Sequence, residues 1–420
     1  MPQTLLILLA LLAQPDGLPQ DGQRIVFLGD SITNAGGFVR EIEAYLVTRF
    51  PRRHVEFINL GLSSETVTGL TETDHPFPRP DVHDRLARAL AQAKPDRVVA
   101  GYGMNDGIYH PFDDRRFAAY QEGIHRLIAA VQASGARLTL LTPGPFEASA
   151  IPNKVRPAGA ADYSYKDPYA RYDDTLARYG KWLLTQRSDS VEVIDTRSAI
   201  LAQAESMRKN DPKFHLTGDA IHPGPDGQWF LASAILDAWN APAEVDSLAI
   251  DPAAEPNSKV TRGKLGELTI NPARTSVQFN WTTFVPAPPD PGLIARKQFN
   301  DRLNRQILVV RNLAAGRYSL KEGQSSLGHF TAEDLAAGVS LPSLAGLSTN
   351  RRAAEIRALL DRRERLLSAA WLAHVGHKRL LVPADHSLPE SQAEAATLEA
   401  KARALAEPVA LKLSLERMGD

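Results

Sequence analysis

The sequence predicts an α/β protein, a parallel sheet covered by helices on both faces, followed by a smaller mixed β/α region. Between residue 23 and about residue 240, short runs rich in β-formers alternate with amphipathic segments, the pattern of successive βαβ units. Composition then shifts at Ala241-Pro242-Ala243-Glu244, and the turn-rich stretch 251–257 reads as a linker or the first hairpin of a second region. The length of 420 residues suits two or three domains, and 43% apolar content excludes a wholly disordered or fibrous chain.

Taken in order, strands are expected at 24–28, 54–60, 97–102, 137–141 and 191–194, with helical patterns at 37–50, 81–94, 114–134, 168–186 and 225–239. Five such units have the size of a flavodoxin-like three-layer α/β/α domain, in which reactive groups gather at the carboxyl ends of the strands. Beyond it, 265–270, 276–281, 306–310 and 317–320 read as strands, 286–291 as a proline-rich loop, and 350–375 and 389–406 as long helices. No repeat or low-complexity tract is present. The second region, 241–420, carries no chemical constellation, so it is expected to serve stability or polymer affinity more than chemistry.

Charge and composition exclude several function classes. Forty-eight Lys and Arg against 49 Asp and Glu leave a net charge of −1, with no basic excess for nucleic acid or an anionic membrane. The absence of cysteine removes disulfides, thiolate nucleophiles, iron–sulfur clusters and Cys-ligated zinc. His54, His75, His83, His110 and His125 share no metal-ligand spacing with carboxylates, so no zinc site is expected. The apolar run 5–13 (LLILLALLA) suits the core of a signal peptide and is too short to span a bilayer. Residues 1–22 therefore read as a leader and the protein as exported. Against this, Met1-Pro2-Gln3-Thr4 carries no basic residue and Leu11 stands two positions before Ala13. A buried helix or a misjudged start is the alternative. No other apolar stretch approaches a bilayer span, and nothing in the sequence sets the oligomeric state.

Four short motifs follow the first, second, third and fifth strands. Gly29-Asp30-Ser31-Ile32 places a serine at a strand-to-helix junction with its hydroxyl exposed. Asn59-Leu60-Gly61 offers a backbone N–H that a ligand can approach without a side chain intervening. Gly103-Met104-Asn105-Asp106 presents an uncharged amide donor, and Asp219-Ala220-Ile221-His222 carries a carboxylate and an imidazole on one turn of chain. Each alone is ordinary turn or capping chemistry. Together they occur in strand order, each facing one crevice. In that crevice Ser31 is a nucleophile, His222 its base, and Asp219 the group that sets the imidazole tautomer. The N–H groups of Ser31 and Gly61 and the amide of Asn105 are oxyanion donors.

These four elements resemble the Ser, Gly, Asn and His blocks of the SGNH (GDSL-type) hydrolase family, over residues 23–240, with Ile32 where the family name has Leu. The resemblance implies an SGNH fold, a serine esterase needing neither metal nor cofactor, and the same roles for Ser31, Gly61, Asn105, Asp219 and His222. Asp30, Gly103 and Asp106 complete its motifs and are expected to shape loops. The substrate implied is a small-molecule or polysaccharide ester, most directly a short acyl group such as acetate on a carbohydrate. The alternatives are a lipase- or thioesterase-like activity on longer acyl chains, and a binding protein on a decayed hydrolase scaffold. The intact set of five residues argues against decay. Tyr109, His110 and Phe112 either line the cleft or pack a surface loop. The connection 145–172, with Tyr163, Tyr165, Tyr169 and Tyr172, reads as a lid or sugar-stacking wall, and His215 as a bystander.

Overall fold

The computed structural model describes residues 17–254, 256–379 and 387–419; the apolar run at 5–13 lies outside them. The first sheet comprises β1 (Arg24–Gly29), β2 (Glu56–Asn59), β3 (Arg97–Gly101), β4 (Arg137–Leu141) and β5 (Val191–Ile194), all parallel, in the order β2-β1-β3-β4-β5. Seven helices accompany it: α1 (Ser31–Asn34), α2 (Gly37–Arg49), α3 (Leu86–Ala93), α4 (Asp114–Ala133), α5 (Tyr172–Leu183), α6 (Thr196–Asn210) and α7 (Pro225–Ala238). A central parallel strand is covered on both faces, so β1 is an apolar run rather than an alternating one. Its Val26 and Leu28 pack towards α3 and α4, while Ile25 and Phe27 pack towards α2 and α7. Capping follows the sequence: the Asp113 carboxylate accepts from the Arg115 and Arg116 N–H groups to open α4, and Pro225 occupies the first turn of α7.

The expected three-layer domain is therefore present, with two local departures. The segment expected as one helix at 81–94 is a 3-10 turn, Val82–Asp84, followed by α3. The break falls at Arg85, which leaves helical geometry and pairs with the buried Glu65 at 2.6 Å. Helix α6 was not anticipated from the pattern, because its sequence TRSAILAQAESMRKN offers too few apolar positions for a clear period. Asp195 starts it by accepting from the Ser198 N–H.

The second region contains β6 (Glu244–Ile250), β7 (Ser258–Val260), β8 (Lys264–Ile270), β9 (Ser276–Thr283), β10 (Arg305–Val310), β11 (Arg317–Glu322), β12 (Ser325–Thr331), β13 (Val339–Ser340) and β14 (Val409–Arg417). Its helices are α8 (Arg296–Leu303), α9 (Ala332–Ala337), α10 (Ser348–Val375) and α11 (Leu388–Ala406). A four-stranded sheet, β13-β10-β6-β7, and a five-stranded antiparallel sheet, β12-β11-β14-β9-β8, enclose one core that includes Leu248, Trp281, Leu308, Tyr318 and Leu413. The buried Asp246 ties these sheets together. Its carboxylate accepts from Thr261 Oγ1, Trp281 Nε1, Thr283 Oγ1 and the N–H groups of Arg262 and Gly263.

Helices α10 and α11 fold back onto the first domain. Leu367, Trp371, Leu372 and Val375 share its core with Leu86 and Leu90, and Ile356, Leu360 and Ala402 meet Ala44 and Val47 of α2. Pressed between α7 and α10, α2 is buried almost all round, and its Glu41 and Glu43 meet Arg357 at 2.6 Å and Arg363 at 2.7 Å. The change of architecture near residue 241 is thus not an end of contact between the two parts. No helix among the described residues is long and apolar enough to cross a membrane.

Candidate active site

Strand β1 delivers Ser31 through a short, tightly specified turn. Asp30 caps α1, its Oδ1 accepting from the Ile32 N–H at 2.9 Å. Ser31 is the first residue of α1, half-buried, and its N–H lies where a helix offers it no backbone acceptor. The cap is buried: loss of water pushes the Asp30 carboxyl up to about 6, against the opposing pull of the Ile32 N–H and His222.

The loop between α6 and α7 brings His222 to Ser31. His222 Nε2 stands 2.7 Å from Ser31 Oγ, and Nδ1 stands 2.6 Å from Asp219 Oδ2. Asp219 Oδ1 meanwhile accepts from the N–H groups of Ile221 at 3.0 Å and His222 at 2.8 Å, which orients the carboxylate towards the ring. This reversal holds Ala220 at φ 72, a left-handed conformation that an L-residue adopts at some cost. Glu147 pins the loop: its N–H donates to the Ala220 carbonyl, and its carboxylate accepts from Thr217 N and meets His215 and Arg208. His215 therefore belongs to the clamp and does not reach Ser31. Partial burial of Asp219 opposes its ionisation. The three hydrogen bonds from His222 and Ile221 outweigh that, holding the carboxyl well below the usual range. The hydrogen bond to Asp219 raises His222 above an ordinary histidine, partly offset by burial.

Beyond β3, Gly103 is at φ 130 and a Cβ there would run into Pro143, so the turn requires glycine. It carries Asn105, whose amide is locked at both ends: Oδ1 accepts from Tyr109 Oη at 2.8 Å and Nδ2 donates to the Glu65 carbonyl at 3.2 Å. One Nδ2 hydrogen remains for another acceptor. Asp106 Oδ1 accepts from Val67 N–H at 2.8 Å, and burial pushes that carboxyl up to about 7. Asp30, Gly103 and Asp106 all shape loops here.

Gly61 departs from expectation. Its N–H donates to Asn59 Oδ1 at 2.9 Å and its carbonyl accepts from Asn34 Nδ2 at 2.9 Å, while a Cβ would collide with the Thr33–Asn34 backbone. The amide is engaged in holding α1 and faces no crevice. Three residues on, Ser64 is at φ 70, and its N–H makes no hydrogen bond among the described residues. Ser64 precedes Glu65, whose carbonyl receives Asn105 Nδ2, so the loop that bears this N–H is the one the Asn105 amide grips. A serine disguises this position, because sequence reading looks for glycine where positive φ is needed.

The connection 145–172 packs down more than it opens. Tyr172 is fully buried and donates to the Met104 carbonyl at 2.7 Å, Tyr169 N–H donates to the Tyr109 carbonyl, and Tyr163 sits edge-on to His110. Tyr165 meets His75 at the outer edge. An apolar cavity of about 50 Å³ is walled by Ile32, Met104, Leu141, Pro143, Ile221 and Leu231; Ile32 and Ile221 adjoin Ser31 and His222 in sequence, and neither of that pair lines it.

Residues 27–230 match the model of the GDSL-like lipase/acylhydrolase family. An acetylxylan esterase of Geobacillus stearothermophilus is 22% identical over 239 residues, 51% of this chain and 93% of the relative. Among solved structures, a gut microbial diltiazem-metabolizing enzyme superposes with a TM-score of 0.77 at 17% identity, covering 96% of this chain and all of that one, so the whole two-part fold has a counterpart. A crystal structure of the acetylxylan esterase Axe2 from Geobacillus stearothermophilus matches 53% of this chain and 96% of its own at 22% identity, with a TM-score of 0.37. With their parallel sheet and with Ser31 hydrogen-bonded to His222, residues 27–230 form a domain of the GDSL-like lipase/acylhydrolase family, and the chain is a carboxylic ester hydrolase.

Proposed function

We propose that the protein is a serine esterase that removes short acyl groups, acetyl above all, from carbohydrate. The observation that carries the mechanism is the unbroken chain of hydrogen bonds from Ser31 through His222 to Asp219. Asp219 accepts a hydrogen bond from Nδ1–H, which keeps the proton on Nδ1 and leaves Nε2 as the basic nitrogen facing Ser31 Oγ. The Ser31 oxygen attacks the ester carbonyl and its proton passes to Nε2. The N–H groups of Ser31 and Ser64 and the Asn105 amide receive the developing oxyanion. Collapse expels the sugar oxygen, which takes the proton from Nε2. Water then repeats the sequence on the acyl-serine, releasing the acid and restoring Ser31.

Two observations support the short acyl group. The cavity lined by Ile32 and Ile221, the chain neighbours of Ser31 and His222, is small, with room for a group of a few heavy atoms, and its walls are apolar. The related protein from Geobacillus stearothermophilus is named an acetylxylan esterase. Acetyl, butyryl and octanoyl aryl esters, run beside acetylated xylan, pectin and chitin oligomers, test the proposal. Efficiency is expected to fall with chain length and acetate to be released from one of the glycans; rising efficiency with chain length overturns the carbohydrate assignment. Export belongs to the same proposal, on the strength of the apolar run 5–13. Terminal sequencing of the protein from culture fractions tests it, and an intact Met1 on a cytosolic protein refutes it.

A further inference from the structure

The packing of α10 against the first domain reaches the turn that carries Ser31. Glu364, buried near the middle of α10, accepts a hydrogen bond from Asn59 Nδ2 at 2.9 Å, across 305 residues of sequence. The same Asn59 nitrogen donates to the Thr33 carbonyl in α1 at 2.9 Å, and Asn59 Oδ1 accepts from the Gly61 N–H at 2.9 Å. Asn59 therefore bridges the nucleophile's helix and the start of the loop that bears Ser64. Its amide group has two N–H donors, and Glu364 is the acceptor for one of them.

The Glu364 carboxylate is fitted to this place. Its other oxygen meets Arg40 Nη1 at 3.3 Å, and Arg40 in turn donates to the Ala35 carbonyl at 3.0 Å, at the end of α1. Gly36, at φ 70 between α1 and α2, leaves the space the carboxylate occupies, since a Cβ there would strike Glu364 Oε1. Asn34 completes the ring, donating to the Gly61 carbonyl and accepting from Ser63 Oγ at 2.9 Å. Helix α1, its carboxyl end and the start of the 61–64 loop are thus tied, through Asn59 and Arg40, to one carboxylate from the other half of the chain.

We propose that Glu364 is a positioning residue for ester hydrolysis, acting through Asn59 to hold Ser31 in register with Ser64 and Asn105. The inference rests on Ser31 being the nucleophile. Glu364 touches no substrate; its effect is to leave α1 and the 61–64 loop a single relative placement. Displacement of a reacting group by about 1 Å costs on the order of 100-fold in rate, so a small slackening of this brace is visible in turnover.

The test uses the full chain with Glu364→Ala, Glu364→Gln, Asn59→Ala and the Glu364→Ala/Asn59→Ala double variant. For each, kcat and KM on an acetyl aryl ester, the rate of fluorophosphonate labelling and the thermal midpoint are measured. Glu364→Ala is expected to lower kcat and the labelling rate ~10- to 100-fold, with KM little moved. Glu364→Gln, which keeps an acceptor oxygen for Asn59, recovers most of both. The double variant is expected to be no slower than the slower single, because the two residues act in series. A lowered midpoint with unchanged kcat and labelling rate overturns the proposal and leaves Glu364 as an anchor of α10. Multiplying effects in the double variant overturn it too. If Glu364→Ala does not fold, Asn59→Ala decides, since wild-type kcat in that variant removes the link. Label on a residue other than Ser31 in the unaltered protein defeats the nucleophile assignment instead, so the two failures are told apart.

Discussion

His222 Nε2 lies 2.7 Å from Ser31 Oγ although 191 residues separate them in the chain. The bond joins the end of β1 to the loop before α7, and no element shared by the two could make it by local preference. If it is the working bond of the enzyme, a fluorophosphonate labels Ser31 stoichiometrically. Ser31→Ala and His222→Ala then each lower kcat by roughly 10⁴- to 10⁶-fold, as for other groups that act as a unit. Asp219→Asn is expected to be milder. Turnover surviving in Ser31→Ala would end the mechanism.

The pH profile carries its own sign. His222 works as a base only when neutral, and its hydrogen bond to Asp219 raises it above the ordinary value of 6.5. Activity is therefore expected to rise with pH through an inflection above 6.5 and then level off. Asp219→Asn removes the anion and moves the inflection to lower pH. A profile whose inflection is unmoved by Asp219→Asn contradicts the coupling.

Asn105 and Tyr109 make a graded pair. Asn105→Ala is expected to raise the barrier by about 2.7–4 kcal/mol, on the order of 10² to 10³ in kcat, with little change in KM. Tyr109→Phe deletes only the hydroxyl that holds the amide oxygen, and its loss in kcat is expected to be smaller and in the same direction. A pure KM effect in both would move Asn105 to ground-state binding.

Cutting the chain after Asn240 is expected to abolish folding, a stability role of the kind the sequence leaves to the second half. The cut uncovers Ala44 and Val47 and takes Leu367, Trp371, Leu372 and Val375 out of the core they share with Leu86 and Leu90. Each large apolar side chain contributes about 1.5–3 kcal/mol by its burial, and four such losses rival the ~5–15 kcal/mol stability of a whole domain. A soluble 1–240 fragment with a cooperative thermal transition refutes this.

The cavity gives a prediction about selectivity. Met104 is one of its walls. Met104→Ala makes room for two more methylenes, and at about 0.8 kcal/mol each the butyryl-to-acetyl efficiency ratio is expected to rise roughly tenfold. An unchanged ratio means the acyl group lies elsewhere.

The first domain was legible because its strands are apolar runs and the first four end in glycine-bearing turns; 137–141 and 191–194 fall where the sequence places them. Ser31 and Asn105 were legible for the same reason, each standing in a short motif at a strand's end, and Asp219 and His222 by their spacing, although helix α6 separates them from β5. Gly61 misled because a glycine between two hydrogen-bonding loops looks like one held open for a ligand. Glu364 was illegible altogether: a glutamate in a helix reads as a solvated face, and only the closure of α10 over β2 shows it buried. Strand β14 went unread although Pro408 separates it from α11, because its partners β9 and β11 lie far earlier in the sequence, on the other side of α10 and α11.

Strand β14 also fixes an order of events. It lies between β9 and β11, which are made well before it. Until residues 409–417 have been translated, the nascent chain carries two unpaired strand edges facing one gap, an invitation to pairing with another chain. Loss of residues 409–417 is therefore expected to leave both edges open and to seed aggregation.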